Sequence, residues 1–262
     1  MNARDATEGL PPLGFISVDV HFPRPPGDPF NPHSWPFPLI HERAEGSTES
    51  QIVTGGKYDD ALIDRFVDAG MRLAERGCVG IITSCGFVVV AQDEISSRLP
   101  IPVSTSSLLQ LPSLLSLLPP HKTIGILTYD SARLGPLHLQ QLGIDTKRRE
   151  IPIRGAPTEG HLRTMIQRGG AYVHADIEAE LVEMATGLAG EYNGRDDDDG
   201  GDPRGRRPEI AALLLECTQM PPFAEAIQRA TGLPVYDVYT MGMWFYSGLV
   251  SRTPQRWRLE SS

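Results

Sequence analysis

Two short apolar strands, each ending in a cysteine, stand at matching places in this chain, and few folds can accommodate both. The first reads Val79 to Thr83 and runs into Ser84, Cys85 and Gly86. The second lies in EIAALLLE, Glu209 to Glu216, and runs into Cys217, Thr218 and Gln219. Each is preceded by a helical pattern, followed by another, and then by a short strand opening on Pro-Val, at Pro102-Val103 and Pro234-Val235. Unbroken aliphatic runs suit strands covered on both faces, and their alternation with helices predicts parallel α/β sheets. In such sheets ligands bind in the crevice beyond the carboxyl ends of the strands, where Cys85 and Cys217 fall. If two similar sheets face one another, both thiols open into one crevice. Free cysteine is also a common core residue, so either thiol alone reads more readily as packing; the matched pair favours reactivity. Cys78 precedes its strand and reads as core.

In chain order, Leu13 to Val20 is the first strand. Residues 21–38 form a proline-rich loop, long enough to be functional, whose aromatics Phe22, Phe30, Trp35 and Phe37 pack either over the crevice or as a surface arm or subunit contact. A strand follows near Phe37 to Glu42, then a helix from about Tyr58 to Arg76 with Ile63, Phe66, Val67, Met71 and Leu73 near one stripe. Ala91 to Leu99 and Leu108 to Leu118 read as helices, and the hydroxyls of Ser104 to Ser107 line a site, cap a helix, or do both. The second cycle starts with the strand Lys122 to Leu127. It continues with helices over Leu134 to Leu142, His161 to Arg168 and Ile177 to Tyr192, and a strand fragment at Ile151 to Ile153. Residues 193–208, with four consecutive aspartates, read as a solvated, mobile acidic loop. The helix Phe223 to Thr231, the strand Leu233 to Val238 and the helix Tyr239 to Leu249 close the chain.

Composition narrows the chemistry. The formal charge of -9 and the lack of a basic stripe argue against nucleic acid, and no apolar run approaches the roughly 18 residues of a membrane span. The N-terminus has no apolar signal core, so a reducing, cytoplasmic setting is expected. Three cysteines and seven histidines show no metal-ligand spacing, and no disulfide framework or metal is expected. No glycine-rich dinucleotide signature follows the first strand, and no lysine stands near either thiol motif. Proton chemistry without a cofactor is the expectation. Two thiols on opposite sides of a substrate suit removal of a proton on one face and its return on the other. The helix N-termini after each cysteine favour a thiolate and can hold a carboxylate.

With TSCGF around Cys85 and LLECTQMPP around Cys217, the chain resembles the aspartate/glutamate racemase superfamily over about Leu13 to Leu249. The resemblance implies two pseudo-symmetric three-layer α/β/α lobes with mostly parallel sheets and the active site between them. The lobes would be residues 1–118 plus 235–262, and 119–234. It also implies cofactor-independent racemisation or epimerisation at a carbon next to a carboxylate or carbonyl, with Cys85 and Cys217 as the paired acid and base. Thr218 matches a carboxylate-binding threonine, Tyr129 a tyrosine that donates to the carboxylate or enediolate, and Ser17 and Asp19 groups near the first-strand end. Thr83, Ser84, Gly86 and Phe87 are the remaining expected substrate contacts. Gly86-Phe87 replaces the usual Asn-Thr, leaving backbone N–H groups as donors there. Gln219 replaces the histidine of glutamate racemases and speaks against glutamate as substrate. Phe87 and Met220 make the pocket more apolar or simply pack beneath it. Maleate-type isomerases, decarboxylases and lyases of the same superfamily are the alternatives, with a non-catalytic binding protein a third. The expected partners are a small carboxylate-bearing molecule and a second copy in a homodimer.

Overall fold

In the first strand, LGFIS, alternate residues serve opposite faces, and both faces are covered. The computed structural model describes residues 9–194 and 208–252. Its strands are β1 (Leu13–Ser17), β2 (Leu39–Arg43), β3 (Ile81–Thr83), β4 (Val103–Ser104), β5 (Lys122–Thr128), β6 (Ile153–Gly155), β7 (Glu209–Leu215) and β8 (Val235–Tyr236). They pair in parallel into two four-stranded sheets of identical topology, β2-β1-β3-β4 and β6-β5-β7-β8. The helices are α1 (Glu49–Ile52), α2 (Asp60–Glu75), α3 (Gln92–Arg98), α4 (Leu111–Ser116), α5 (Pro136–Gln141), α6 (His161–Arg168), α7 (His174–Asn193), α8 (Ala224–Thr231) and α9 (Val238–Leu249).

Ile16 and Ile81 pack with α2 through Leu62, Ile63, Phe66 and Leu73. Leu13, Phe15 and Ile82 join a separate cluster with Trp35, Phe37, Val238, Met241 and Tyr246, so α9 covers the opposite face of the first sheet. Gly14 keeps α2 close, since a Cβ there would lie 2.9 Å from a Leu73 methyl carbon. The expected stripe on α2 holds except at Met71, which is 38% exposed; Leu62, Ala69 and Gly70 fill the buried face instead. On the second sheet α7 buries Ile177, Leu181, Met184, Ala185 and Leu188.

The lobe boundary expected at residue 235 is corrected. Val235 and Tyr236 pair with Leu213 and Leu214 of β7, and the Leu213 N–H donates to the Pro234 carbonyl at 2.8 Å. The strand therefore completes the second sheet, and only α9 crosses to the first. Asp237 makes the turn, its carboxylate accepting from the Thr240 N–H as an N-cap.

The proline-rich loop meets one of the fates expected for it, running over the crevice, but its second half packs Trp35 and Phe37 into the core instead of forming a surface arm or subunit contact. Its second half stacks Trp35 on Phe37 and Tyr239, and Phe37 on Tyr246 of α9. Its first half runs over the cleft between the sheets, where Phe22 and Arg24 form part of the lining. The four consecutive aspartates of the acidic segment lie outside the described residues. At its edge Asn193 belongs to α7 and exchanges two hydrogen bonds with Ile210, so the segment begins later than expected. Among the described residues no helix is long and apolar enough to cross a membrane.

Candidate active site

Cys85 and Cys217 line one cleft between the two sheets, enclosing about 450 Å³ when counted to its open mouth. Each cysteine follows the last residues of a central strand: Cys85 comes two residues after β3, at the N-cap of a 3-10 helix over Gly86–Ala91, and Cys217 comes two residues after β7. The strand ends are tied across the cleft. The Thr218 hydroxyl donates to the Ser84 carbonyl at 2.5 Å and the Ser107 hydroxyl to the Leu215 carbonyl at 2.8 Å. The Ser84 hydroxyl accepts from the Val18 N–H. Cys78 is buried elsewhere.

Of the expected substrate contacts, Ser84, Tyr129 and Thr218 join the thiols in the cleft. The others do not. Thr83 is buried and donates its hydroxyl to the Thr105 carbonyl at 2.6 Å. Ser17 directs its hydroxyl to the Glu42 carbonyl, and Asp19 pairs with Arg43 and accepts from the Gly46 N–H. Phe87 is fully buried against the edge of His138, which settles its choice between pocket wall and packing in favour of packing. Ser104, Thr105, Ser106 and Ser107 spend their hydroxyls on Met241, Gln92, the Leu108 N–H and the Leu215 carbonyl.

Gly86 has a different task from the expected one. A Cβ on it would collide with Oε1 of Glu216 and lie 2.6 Å from that residue's carbonyl oxygen. Glu216 is itself buried, takes the Thr128 hydroxyl at 2.6 Å and the Tyr129 N–H at 3.4 Å, and is stabilised as an anion by the N–H groups of Gly86 and Phe87. The backbone donors expected to cradle a substrate carboxylate are thus turned toward the protein's own carboxylate. Burial outweighs these donors and raises the Glu216 carboxyl to about 7.

Burial, then the charge of Glu216, pushes both thiols above the ordinary cysteine range. The N–H groups of Phe87 and Gln219 act against this at Cys85 and Cys217 respectively. Cys217 also has a cationic neighbour, Arg24, and its thiol donates to Oε1 of Gln219 at 3.3 Å. Burial raises the Tyr129 phenol, with Glu49 adding to the effect; its hydroxyl faces Glu49 without a hydrogen bond of normal geometry.

Arg24, Glu49, Glu216 and Gln219 therefore belong to the cleft beside the predicted residues, with Val18, Val20, Phe22, Ile52, Val53 and Ile166 as apolar wall. The signal for Glu216 was visible as a carboxylate ending an otherwise aliphatic strand. Arg24 and Glu49 lie in a loop and a one-turn helix, where no periodicity marks them. Among the described residues no three His, Cys, Asp or Glu side chains group to hold a metal ion.

No family model matches the chain. The dimethylsulfoniopropionate lyase of Durusdinium sp. clade D is 31% identical over 243 residues, covering 91% of this chain and 75% of its own length. Dimethylsulfoniopropionate lyase 7 of Emiliania huxleyi is 29% identical over 244 residues, covering 92% and 67%. Among solved structures, arylmalonate decarboxylase superposes with a TM-score of 0.57 at 16% identity, over 93% of this chain and 94% of its own. Allantoin racemase from Pseudomonas fluorescens gives 0.55 at 13% identity, over 90% of each. At those identities the structures speak for the fold, which is that of the aspartate/glutamate racemase superfamily, while the sequence relatives speak for the branch: the chain belongs to the dimethylsulfoniopropionate lyase family.

Proposed function

We propose that this cleft catalyses β-elimination of dimethylsulfoniopropionate, a small zwitterion with a sulfonium at one end and a carboxylate at the other. A thiolate removes a proton from the carbon next to the carboxylate. Its electron pair forms the carbon–carbon double bond as the carbon–sulfur bond breaks. Sulfur leaves with the bonding pair as neutral dimethyl sulfide, acrylate remains, and the proton stays on the thiol until solvent takes it. The lyase alternative drawn from the resemblance thereby becomes the leading one.

The observation that carries this reading is the company the two thiols keep. They share a mostly apolar cleft with Glu49, Glu216 and the ring of Tyr129. Anionic and aromatic groups suit a soft cation. Burial and then the charge of Glu216 hold the thiols protonated, and an arriving sulfonium offsets that charge, so substrate binding itself favours the thiolate. Cys217 is the base in this scheme, since of the two thiols it is the one with a cation acting on it, Arg24, set against the larger opposing effect of Asp28. The charged groups acting on Cys85 are Glu216, Cys217 and Glu49, all anionic when ionised, so that it stays a thiol.

A second reading, racemisation at a carbon next to a carboxylate, is favoured by one specific fact: Cys85 also faces the cleft, and a one-base elimination leaves it without a proton to carry. The two readings separate in heavy water. Headspace detection of dimethyl sulfide from dimethylsulfoniopropionate, with C217S slowed by roughly 10²- to 10⁴-fold, supports the lyase. No dimethyl sulfide from the wild type, together with inversion and deuterium uptake in a chiral 2-substituted acid, overturns it.

A further inference from the structure

Most donors that the sequence offers for a substrate carboxylate are already committed. Thr218 donates to Ser84, the Gly86 and Phe87 N–H groups serve Glu216, and Thr83 serves Thr105. The hydroxyls of Ser84 and Tyr129 remain, and neither carries a charge. The cleft does hold one guanidinium, Arg24, brought in by the proline-rich loop.

Arg24 is held there firmly and yet keeps donors to spare. Its side chain is 13% exposed, and its guanidinium carbon lies 3.9 Å from the Phe22 ring centroid and 5.0 Å from that of Phe30. Nη1 reaches both oxygens of buried Asp28, each at 3.4 Å, longer than the roughly 2.7–2.9 Å of a good charge-assisted bond. Nε and Nη2 make no hydrogen bond among the described residues. Asp28 is anchored in turn by the Phe30 N–H at 2.8 Å. Gly27, at φ +95°, lets the loop sit against Pro222, just past the Cys217 motif; a Cβ there would meet Pro222 at 3.2 Å.

We infer that Arg24 is the residue that recognises the substrate carboxylate, its free N–H groups gripping the oxygens beside Cys217. The inference rests on the carboxylate-bearing substrate proposed above. A planar fork matches a carboxylate in two-point contact, and the same contact stabilises the charge that moves onto those oxygens as the α-proton leaves. Asp28 is then a positioning residue, fixing the guanidinium without exhausting it.

The test uses the double variant R24Q–D28N, which leaves no buried charge unpaired, and the variants D28N and R24K. Two quantities are read: KM for dimethylsulfoniopropionate, and the propionate concentration that half-protects the cleft thiols from iodoacetamide. Both are expected to rise roughly 10- to 100-fold in R24Q–D28N. D28N, which keeps the guanidinium but loosens its anchor, should raise both by less than R24Q–D28N does, and R24K should fall between wild type and the double variant. An unchanged half-protecting concentration in R24Q–D28N overturns the inference; if that variant fails to fold, unchanged values of both quantities in R24K do so. Wild type that releases no dimethyl sulfide, yet is protected by propionate only when Arg24 is present, would sink the lyase reading and leave this one standing.

Discussion

Replacing Gly86 by alanine tests the claim that the two thiols are held in place by a contact between lobes. The added Cβ would run into Glu216 Oε1 and sit 2.6 Å from its carbonyl oxygen and 2.7 Å from its Cγ. These separations fall about 0.8 Å short of ordinary contact, and the carbonyl oxygen cannot swing aside as a flexible side chain would. Overpacking of this kind costs about 1–3 kcal/mol, which for a chain of this size lowers the melting temperature by roughly 2 to 12 °C. The larger effect falls on chemistry. Glu216 immediately precedes Cys217, so a displacement of about 1 Å carries the thiol off line and should cost roughly 100-fold in kcat/KM for dimethyl sulfide release. The control is G190A, on the exposed side of α7 with nothing within 4 Å of its Cβ position. Alanine there should stabilise by about 0.5–1 kcal/mol and leave turnover unchanged. A G86A protein with wild-type melting temperature and kcat/KM would refute the argument that Gly86 serves closeness to Glu216.

The same cleft yields three more expected outcomes. E216Q removes the buried anion beside both thiols, so iodoacetamide should alkylate them roughly tenfold faster at a pH below their ionisation; equal rates would mean that Glu216 does not set their charge. Buried His138 is held down to about 4 by burial, and its Nε2 has no partner. The unfolded chain therefore binds this proton first, and His138 contributes stability that is whole above about pH 6.5 and is lost as pH falls toward 4, amounting to about 3 kcal/mol. Glu216, raised to about 7, acts with the opposite sign over much of that window, so the quantity to measure is urea stability of H138L minus wild type at pH 7 and pH 4.5; an equal difference at both would refute the assignment. Finally, the trimethylammonio analogue of the substrate keeps the charge, with one more methyl on the cationic centre, but has a poor leaving group. In heavy water it should gain deuterium at the carbon next to the carboxylate without eliminating, and an analogue that binds yet takes up none would point away from a carbanion.

The two sheets were legible because a strand covered on both faces must be aliphatic on both, as in KTIGIL and ALLL. The repeat was also the better guide to β8. Pro234-Val235 mirrors Pro102-Val103, and it pairs in the second sheet as β4 pairs in the first, although the resemblance placed it in the other lobe. The thiols were readable from their position past the strands. Their neighbours were not. A hydroxyl such as Thr83 or Ser17 at a strand end has a carbonyl within reach in its own sheet or the next loop, and satisfying it outweighs facing an open cleft. Arg24 and Glu49 are brought in by chain that follows no period, and nothing local distinguishes them from surface charges.

Elimination and inversion begin with the same event, loss of a proton beside a carboxylate, and under the function proposed above the cleft serves that event rather than the fate of the electron pair. A buried thiol, the carboxylate clamp inferred for Arg24 and an apolar wall serve either outcome. The choice between them is carried by the substrate: with a good leaving group on the next carbon, the electron pair goes into a double bond before a second thiol can return a proton. The residues that would select such a substrate are those bearing charge opposite to its leaving group. In this cleft these are Glu49 and Glu216, and Glu216 is already engaged by Thr128, Tyr129 and Gly86. Glu49 takes one long bond, 3.3 Å from the Gln167 amide, and otherwise faces the hydroxyl of Tyr129. It is the carboxylate with capacity left to meet a sulfonium, and under the proposed lyase reading the selection of such a substrate turns on it more than on the two sulfur atoms.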